Sequence, residues 1–269
     1  MCPGFSVDLF SKKSIDAHFD THLTRVIKAL KPYIPRTFYG FEIGSYELGM
    51  QNWDGHLEDH FKLLRGYSLR PWILAATGRI IGSTEKTEKF LYDFRLIHAD
   101  LVKTNSYKCF RERLRNHGLS LLIEPYGDGP FDSMELATSA DFLGDPSSHT
   151  QRERIQPVET FTGQPDVSTW TEHPFQLKAT GDRMMTLGPN RFIFHSYVHQ
   201  PVNATFPGMT FGPFRTHFDR MNTWAKQQIG WNKHLSRVSY ILQNTDAYVD
   251  VACFISEEPS QATVPYNSP

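Results

Sequence analysis

The chain has 269 residues, of which 39% are hydrophobic and 21% charged: enough apolar content to bury a sizeable core and too much for intrinsic disorder. Twenty-eight basic side chains against twenty-nine acidic ones give a formal charge of −1, which excludes the broad positive footprint of a nucleic-acid binder. No apolar run reaches the ~18 residues of a membrane-spanning helix, and the opening Met1–Asp8 has neither the basic nor the apolar region of a leader peptide.

From Ser11 to Leu30 the apolar residues Ile15, Phe19, Leu23, Val26, Ile27 and Leu30 fall at helical spacing, with Ser11 or Ser14 as N-cap and Pro32 as the stop. Thr37–Ile43, aromatic and β-branched between Pro35 and Gly44, reads as a short buried strand followed by a polar and aromatic loop. Helical pattern returns at Asp54–Leu64 and again at Glu85–His117, with Gly118 as the C-terminal cap. Directly after that glycine, Leu119–Glu124 is an apolar strand ending in a carboxylate. The same order recurs twice: a helix over Ser148–Ile155 before Gln156–Glu159, and a helix over Pro174–Leu187 before Arg191–His195. A last long helix, Thr216–Gln243, leads to a further buried strand, Tyr248–Ile255, and residues 257–269 read as a frayed tail.

Strands alternating with helices at this spacing predict an α/β fold with a mostly parallel sheet. Polar residues at the strand ends favour a (β/α)8 TIM-barrel-like catalytic domain over an open doubly wound sheet, and no glycine-rich phosphate cradle follows any strand. Only five or six strands are legible, so residues 1–256 are expected to form a single, incomplete barrel domain.

Three carboxylates stand where a barrel would present them together: Glu47, Glu124 and Glu159. Glycoside hydrolysis needs two such groups, one as acid toward the leaving oxygen and one as base or nucleophile; a lone strand-end glutamate is more often simply solvated. The chain also carries 20 Phe, 11 Tyr, 5 Trp and 12 His. Aromatic faces stack on the C–H faces of pyranoses, and Tyr46, Trp53, Tyr126 and Phe161 lie beside the three glutamates. His195 and His199 have the i, i+4 spacing of a helical zinc pair, but the segment leaves a strand and meets Pro201. Hydrogen bonding to sugar hydroxyls or to a carboxylate is the preferred reading, and two buried structural histidines the alternative. Arg220, near the start of the last helix, could clamp a carboxylate or anchor its loop. Cys2, Cys109 and Cys253 make neither a disulfide framework nor a metal-site spacing.

Taken together, Ser45-Tyr-Glu47 with Gln51-Asn-Trp53, Arg65-Gly-Tyr67, Phe90–Arg95, Glu124-Pro-Tyr-Gly127, Glu159–Thr162, Asn190-Arg-Phe192, His195 with His199-Gln-Pro201, and Pro207-Gly-Met209 through Thr216–Arg220 with Trp224 run in one recognisable order. The chain resembles the catalytic region of glycoside hydrolase family 106, the α-L-rhamnosidases. That resemblance implies a (β/α)8-type catalytic domain, inverting hydrolysis of terminal α-L-rhamnosyl linkages in plant or microbial glycans, an allowance for calcium, and further β-rich domains. It also implies a secreted or extracellular setting for full-length relatives. Of the acidic positions, Glu159 and Glu47 are expected to take the central acid and base roles, with Glu124 beside them. Asp145 stands where relatives carry a longer glutamate, and Gly44 where they carry an aspartate. Tyr46, Trp53, Tyr126, His195, His199, His217 and Arg220 are the expected sugar-binding residues. The competing expectations are a catalytically weakened, rhamnoside-binding remnant of such an enzyme and, from another class, a metal-dependent hydrolase built on His195 and His199.

Overall fold

The computed structural model describes residues 6–47, 49, 51–126, 129–141, 155–163, 170–203, 206–210, 216–246, 248, 250 and 251. They fall into two compact units divided after Asp141.

In the first unit Ser11 caps helix α1 (Lys12–His18), its hydroxyl accepting the Ser14 N–H at 3.3 Å. A π-helical turn, Phe19–Leu23, carries the helix into α2 (Thr24–Leu30), and a 3₁₀ turn, Lys31–Tyr33, closes it at Pro32. Strand β1 is Gly40–Ile43, shorter than the predicted Thr37–Ile43, because the N–H groups of Thr37 and Phe38 both bond back to the Tyr33 carbonyl in a turn. Helix α3 (Leu57–Arg65) starts three residues later than expected: Asp54 Oδ1 takes the His56 N–H and holds that stretch in a turn. A 3₁₀ segment, Arg70–Thr77, with no counterpart in the sequence reading, precedes α4 (Thr84–Leu101), which Ser83 caps through Lys86. A second π-helical turn, Val102–Tyr107, joins α4 to α5 (Lys108–Arg115), and Gly118, at φ 71°, turns the chain into β2 (Ser120–Ile123). Helix α6 (Ser133–Ala137), capped by Asp132, was also unforeseen.

Strands β1 and β2 pair in parallel, Gly40 opposite Ser120 and Ile43 opposite Ile123. The pairing needs a glycine: a Cβ at residue 40 would lie 2.6 Å from the Ser120 carbonyl oxygen. The outer edge of β2 is closed by one residue, Asp141. Its N–H donates to the Leu121 carbonyl, its Oδ2 accepts the Leu121 N–H, each at 2.8 Å, and Arg111 and Arg115 hold its Oδ1. Helical aromatics fill the core, Phe61, Phe90 and Phe94 packing ring to ring at 5.8 and 5.5 Å.

In the second unit β3 (Pro157–Thr160) and β4 (Arg191–Phe194) are parallel neighbours, Glu159 opposite Ile193, with α7 (Pro174–Thr186) between them in sequence. Asn190 binds their leading ends: its side chain accepts the Gln156 N–H at 2.8 Å and its own N–H reaches the Gln156 carbonyl at 2.9 Å. The core is Phe161, Leu177, Phe218, Trp231 and Leu235, with Phe192, Phe194, Met185 and Trp224 packed against it. Gly181 inside α7 keeps room for Phe161, whose ring would lie 3.3 Å from an added Cβ.

The predicted helix Thr216–Gln243 is a helix only as α8 (Gln228–Gln243). Ahead of it, Asp219 takes the Met221 N–H, Asn222 takes the Trp224 N–H, and the Asn222 amide donates to the His217 carbonyl. These local bonds offer the backbone an alternative to a helix, and the segment runs in turns. The expected buried strand Tyr248–Ile255 is corrected where it is described: Tyr248, Asp250 and Val251 are exposed and unpaired as strand, and its remainder lies outside the described residues. So do Asp145, all but the last residue of the predicted helix Ser148–Ile155, and the tail 257–269. The architecture is mixed α/β with parallel pairing. The strands among the described residues form two parallel pairs, four of the five or six strands expected of an incomplete barrel. No helix among them is long and apolar enough to cross a membrane.

Candidate functional site

In the first unit Glu47 and Glu124 come together beyond the C-terminal ends of the parallel pair, and in the second Glu159 lies one residue from the end of β3. Glu124 immediately follows β2 and is fixed by its own N–H, which donates to the Ile43 carbonyl at 3.0 Å. Its Oε2 receives the Ser45 N–H at 2.8 Å and the Tyr126 hydroxyl at 3.2 Å. Ser45 turns its own hydroxyl to Glu47 Oε1 at 3.3 Å, and the Tyr46 N–H donates to the Tyr126 carbonyl at 3.0 Å. Ser45 thus bridges the two carboxylates, so that Glu47, Glu124 and Tyr126 share one surface above β1 and β2. An added Cβ on Gly44 would stand 3.8 Å from Glu124 Oε2, in ordinary contact.

The aromatic neighbours divide into exposed and buried rings. Trp53 and Tyr126 are 47% and 42% exposed and offer faces to a ligand. Tyr46 is only 5% exposed and meets Phe131 edge-on at 5.6 Å; burial pushes its phenol above the ordinary range. The structure therefore gives the Tyr46 ring to the core and leaves its backbone to shape the site. The loop after β1 is tied down at three points. Gln51 bonds Asp8 and the Leu9 N–H, the Asn52 carbonyl lies 2.9 Å from Nε2 of the buried His98, and Asp54 holds His56.

In the second unit Glu159 lies in β3 and its Oε1 accepts a short hydrogen bond from the Thr162 hydroxyl. The turn that brings Thr162 back passes through Phe161 at φ 66°, a conformation that costs a bulky side chain of order 1–3 kcal/mol. Burial of the Phe161 ring and a bond from the Thr216 N–H to its carbonyl at 3.2 Å hold it there. His195 follows β4 directly. His217 is buried and stacks on Trp170 with ring centroids 3.7 Å apart, and Trp170 also has positive φ, 64°. Near it, Thr216 donates to Glu172 Oε2 at 2.7 Å. His199 is exposed, and Arg220, also exposed, bonds Asn203 at 2.6 Å. Thr162, Trp170 and Glu172 were not foreseen. Thr162 lay inside a motif already singled out, whereas Trp170 and Glu172 had no periodicity to mark them.

His195 and His199 are not on a helix, which removes the geometric basis of a zinc pair. Among the described residues no group of three or more His, Cys, Asp or Glu is arranged to hold a metal ion. Calcium asks for six to eight oxygen ligands, whereas Glu124 Oε2 already faces two hydrogen-bond donors. Among the described residues no group of carboxylates is gathered to supply them.

The family model described as alpha-L-rhamnosidase, glycoside hydrolase family 106, matches residues 2–145 and 133–267. A "Putative beta-glucuronidase" of Formosa agariphila is 34% identical over 271 residues, covering 94% of this chain and 23% of its own length. Among solved structures, a rhamnosidase from Novosphingobium sp. PP1Y superposes with a TM-score of 0.72 at 25% identity, over 90% of this chain and 25% of that one. The chain thus spans about a quarter of the length of these relatives. With both units matched in sequence and the fold matched in space, the chain belongs to the alpha-L-rhamnosidase family of glycoside hydrolases, family 106.

Proposed function

We propose that the chain carries the acid–base centre of an inverting glycosidase that removes terminal α-L-rhamnosyl residues from extracellular plant or microbial glycans. The observation that supports this most is the repeated placement of acidic and polar side chains at the C-terminal ends of parallel strands, in a member of a family described by that activity. Glu159 and Glu47 are the paired carboxylates: one protonates the leaving oxygen while the other activates a water on the opposite face of the sugar. Glu124, held by Ser45 and Tyr126, orients Glu47, and Asp145 stands in for the family's longer acid. Trp53 and Tyr126 stack on the sugar, and His195, His199, His217 and Arg220 serve its hydroxyls.

The test is hydrolysis of an aryl α-L-rhamnoside beside an aryl β-D-glucuronide, the second substrate because of the name borne by the Formosa relative. Rhamnose release is expected, with kcat reduced about 10²–10⁴-fold in Glu159→Gln and in Glu47→Gln and KM changed little. Unchanged rates in both variants, or cleavage of the glucuronide alone, would overturn the assignment. Calorimetric binding of rhamnose without any turnover would assign the chain a binding role instead.

A further inference from the structure

Thr162 stands three positions beyond Glu159. In an extended strand residues so spaced point to opposite faces, about 10 Å apart, yet the Thr162 hydroxyl donates to Glu159 Oε1. The contact exists because β3 ends at Thr160 and the chain doubles back through Phe161 at φ 66°. A bulky residue adopts that conformation only where its surroundings impose it. Here they do so from three sides. The Phe161 ring is buried, edge-on to Trp231 at 5.5 Å and tilted against Phe194 at 5.4 Å. Helix α7 meets it at Gly181, where a Cβ would press on the ring at 3.3 Å. The Phe161 carbonyl accepts the N–H of Thr216, whose own hydroxyl, on a fully buried residue, donates to Glu172 Oε2 at 2.7 Å.

A strand needs no such turn in order to end. Strand β2 runs on through Glu124 to Tyr126 without a positive φ, and the donors to Glu124 come from the neighbouring Ser45 N–H and from Tyr126. After β3 a hydroxyl of the same chain is turned back to serve the carboxylate. What the turn achieves is local: a glutamate side chain has three torsions to settle, and a donor on one carboxylate oxygen restricts them. Catalysis by a carboxylate depends on that restriction, because displacement by about 1 Å can cost about 10²-fold in rate.

We propose that Thr162 is the positioning residue of Glu159. It contributes no atom to the reaction and holds the carboxylate in the orientation from which it acts on the sugar. The inference rests on the catalytic reading of Glu159 given above.

The full chain is assayed with an aryl α-L-rhamnoside in two variants: Thr162→Val, which keeps the shape and removes the donor, and Thr162→Ser, which keeps the donor. In Thr162→Val kcat is expected to fall about 10–100-fold with KM within about twofold of the parent, and in Thr162→Ser kcat is expected to stay within about threefold. Added to Glu159→Gln, Thr162→Val is expected to cost less than about twofold, since the carboxylate it serves is already gone. A side chain that only stabilised the turn would slow both backgrounds by the same factor. Carbon-13 relaxation of labelled glutamate side chains reads the positioning without turnover: Glu159 is expected to be more mobile in Thr162→Val than in the parent or in Thr162→Ser. Parental kcat in folded Thr162→Val, equal factors in the two backgrounds, or unchanged Glu159 order overturns the proposal. Should Thr162→Val fail to melt cooperatively, Thr162→Ala takes its place. A parent chain without hydrolysis, or Glu159→Gln as fast as the parent, removes the catalytic reading instead, and the relaxation comparison then decides alone whether Thr162 holds Glu159.

Discussion

Asp141 does the work of a strand with a single residue: it accepts and donates to Leu121 and gathers Arg111 and Arg115 on its other oxygen. Removing it in Asp141→Ala leaves the Leu121 N–H without its acceptor and separates two cations from their partner. Because Arg115 is largely exposed, its share is small, and the expected loss is about 2–3 kcal/mol in urea denaturation; a change below ~0.5 kcal/mol would show that water substitutes freely. His98 supplies a pH-dependent counterpart. Burial holds its imidazole below the ordinary range, an effect the Asn52 and Phe94 carbonyls oppose, so the folded state favours the neutral ring while the unfolded chain takes up a proton near pH ~6.5. Its contribution is therefore complete above about pH 6.5 and is lost as the pH falls from there through the folded-state value. Denaturation midpoints should drop from about pH 7.5 to about pH 5 more in the parent than in His98→Gln, and equal drops would contradict this. At this scale Glu124 and Glu159 were legible, because a carboxylate ending an apolar strand is visible in one dimension. Thr162 and Trp170 were not, since their contacts depend on turns through Phe161 and Trp170 at positive φ that no spacing reveals.

Elements were legible where a side chain marks their end. Ser11 caps the helix it was expected to open, Gly118 turns the chain as anticipated, and β2, β3, α7 and β4 fall within a residue or two of their predicted bounds. The two π-helical turns were invisible because apolar periodicity runs through them, burying Phe19 in one and Val102 and Tyr107 in the other. The stretch ahead of α8 was misread for the opposite reason: it has the apolar spacing of a helix, but Asp219 and Asn222 take its N–H groups for themselves. Gly40 offers a test at this scale. Gly40→Ala forces a methyl to within 2.6 Å of the Ser120 carbonyl, so β1 and β2 must separate at their leading ends. A loss of about 1–3 kcal/mol is expected by thermal or urea denaturation, and a variant as stable as the parent would mean that the strands part without cost.

At the scale of the whole molecule, the parallel pairs, the family match and the superposition on a rhamnosidase agree on the kind of fold, and the sequence motifs that suggested it are distributed through both units. The barrel was less legible than the family. Strand-and-helix alternation announces parallel pairing, but closure depends on strands that four short β-segments do not supply among the described residues. Paired carboxylates acting across a sugar leave a stereochemical mark that neither binding nor an unrelated hydrolase would imitate. The most direct measurement is the proton NMR spectrum of the rhamnose released in the first turnovers from an aryl α-L-rhamnoside, before mutarotation equilibrates it. Initial release of the β-anomer, abolished in Glu159→Gln, is the predicted result; initial release of the α-anomer, or no release at all, would contradict the account.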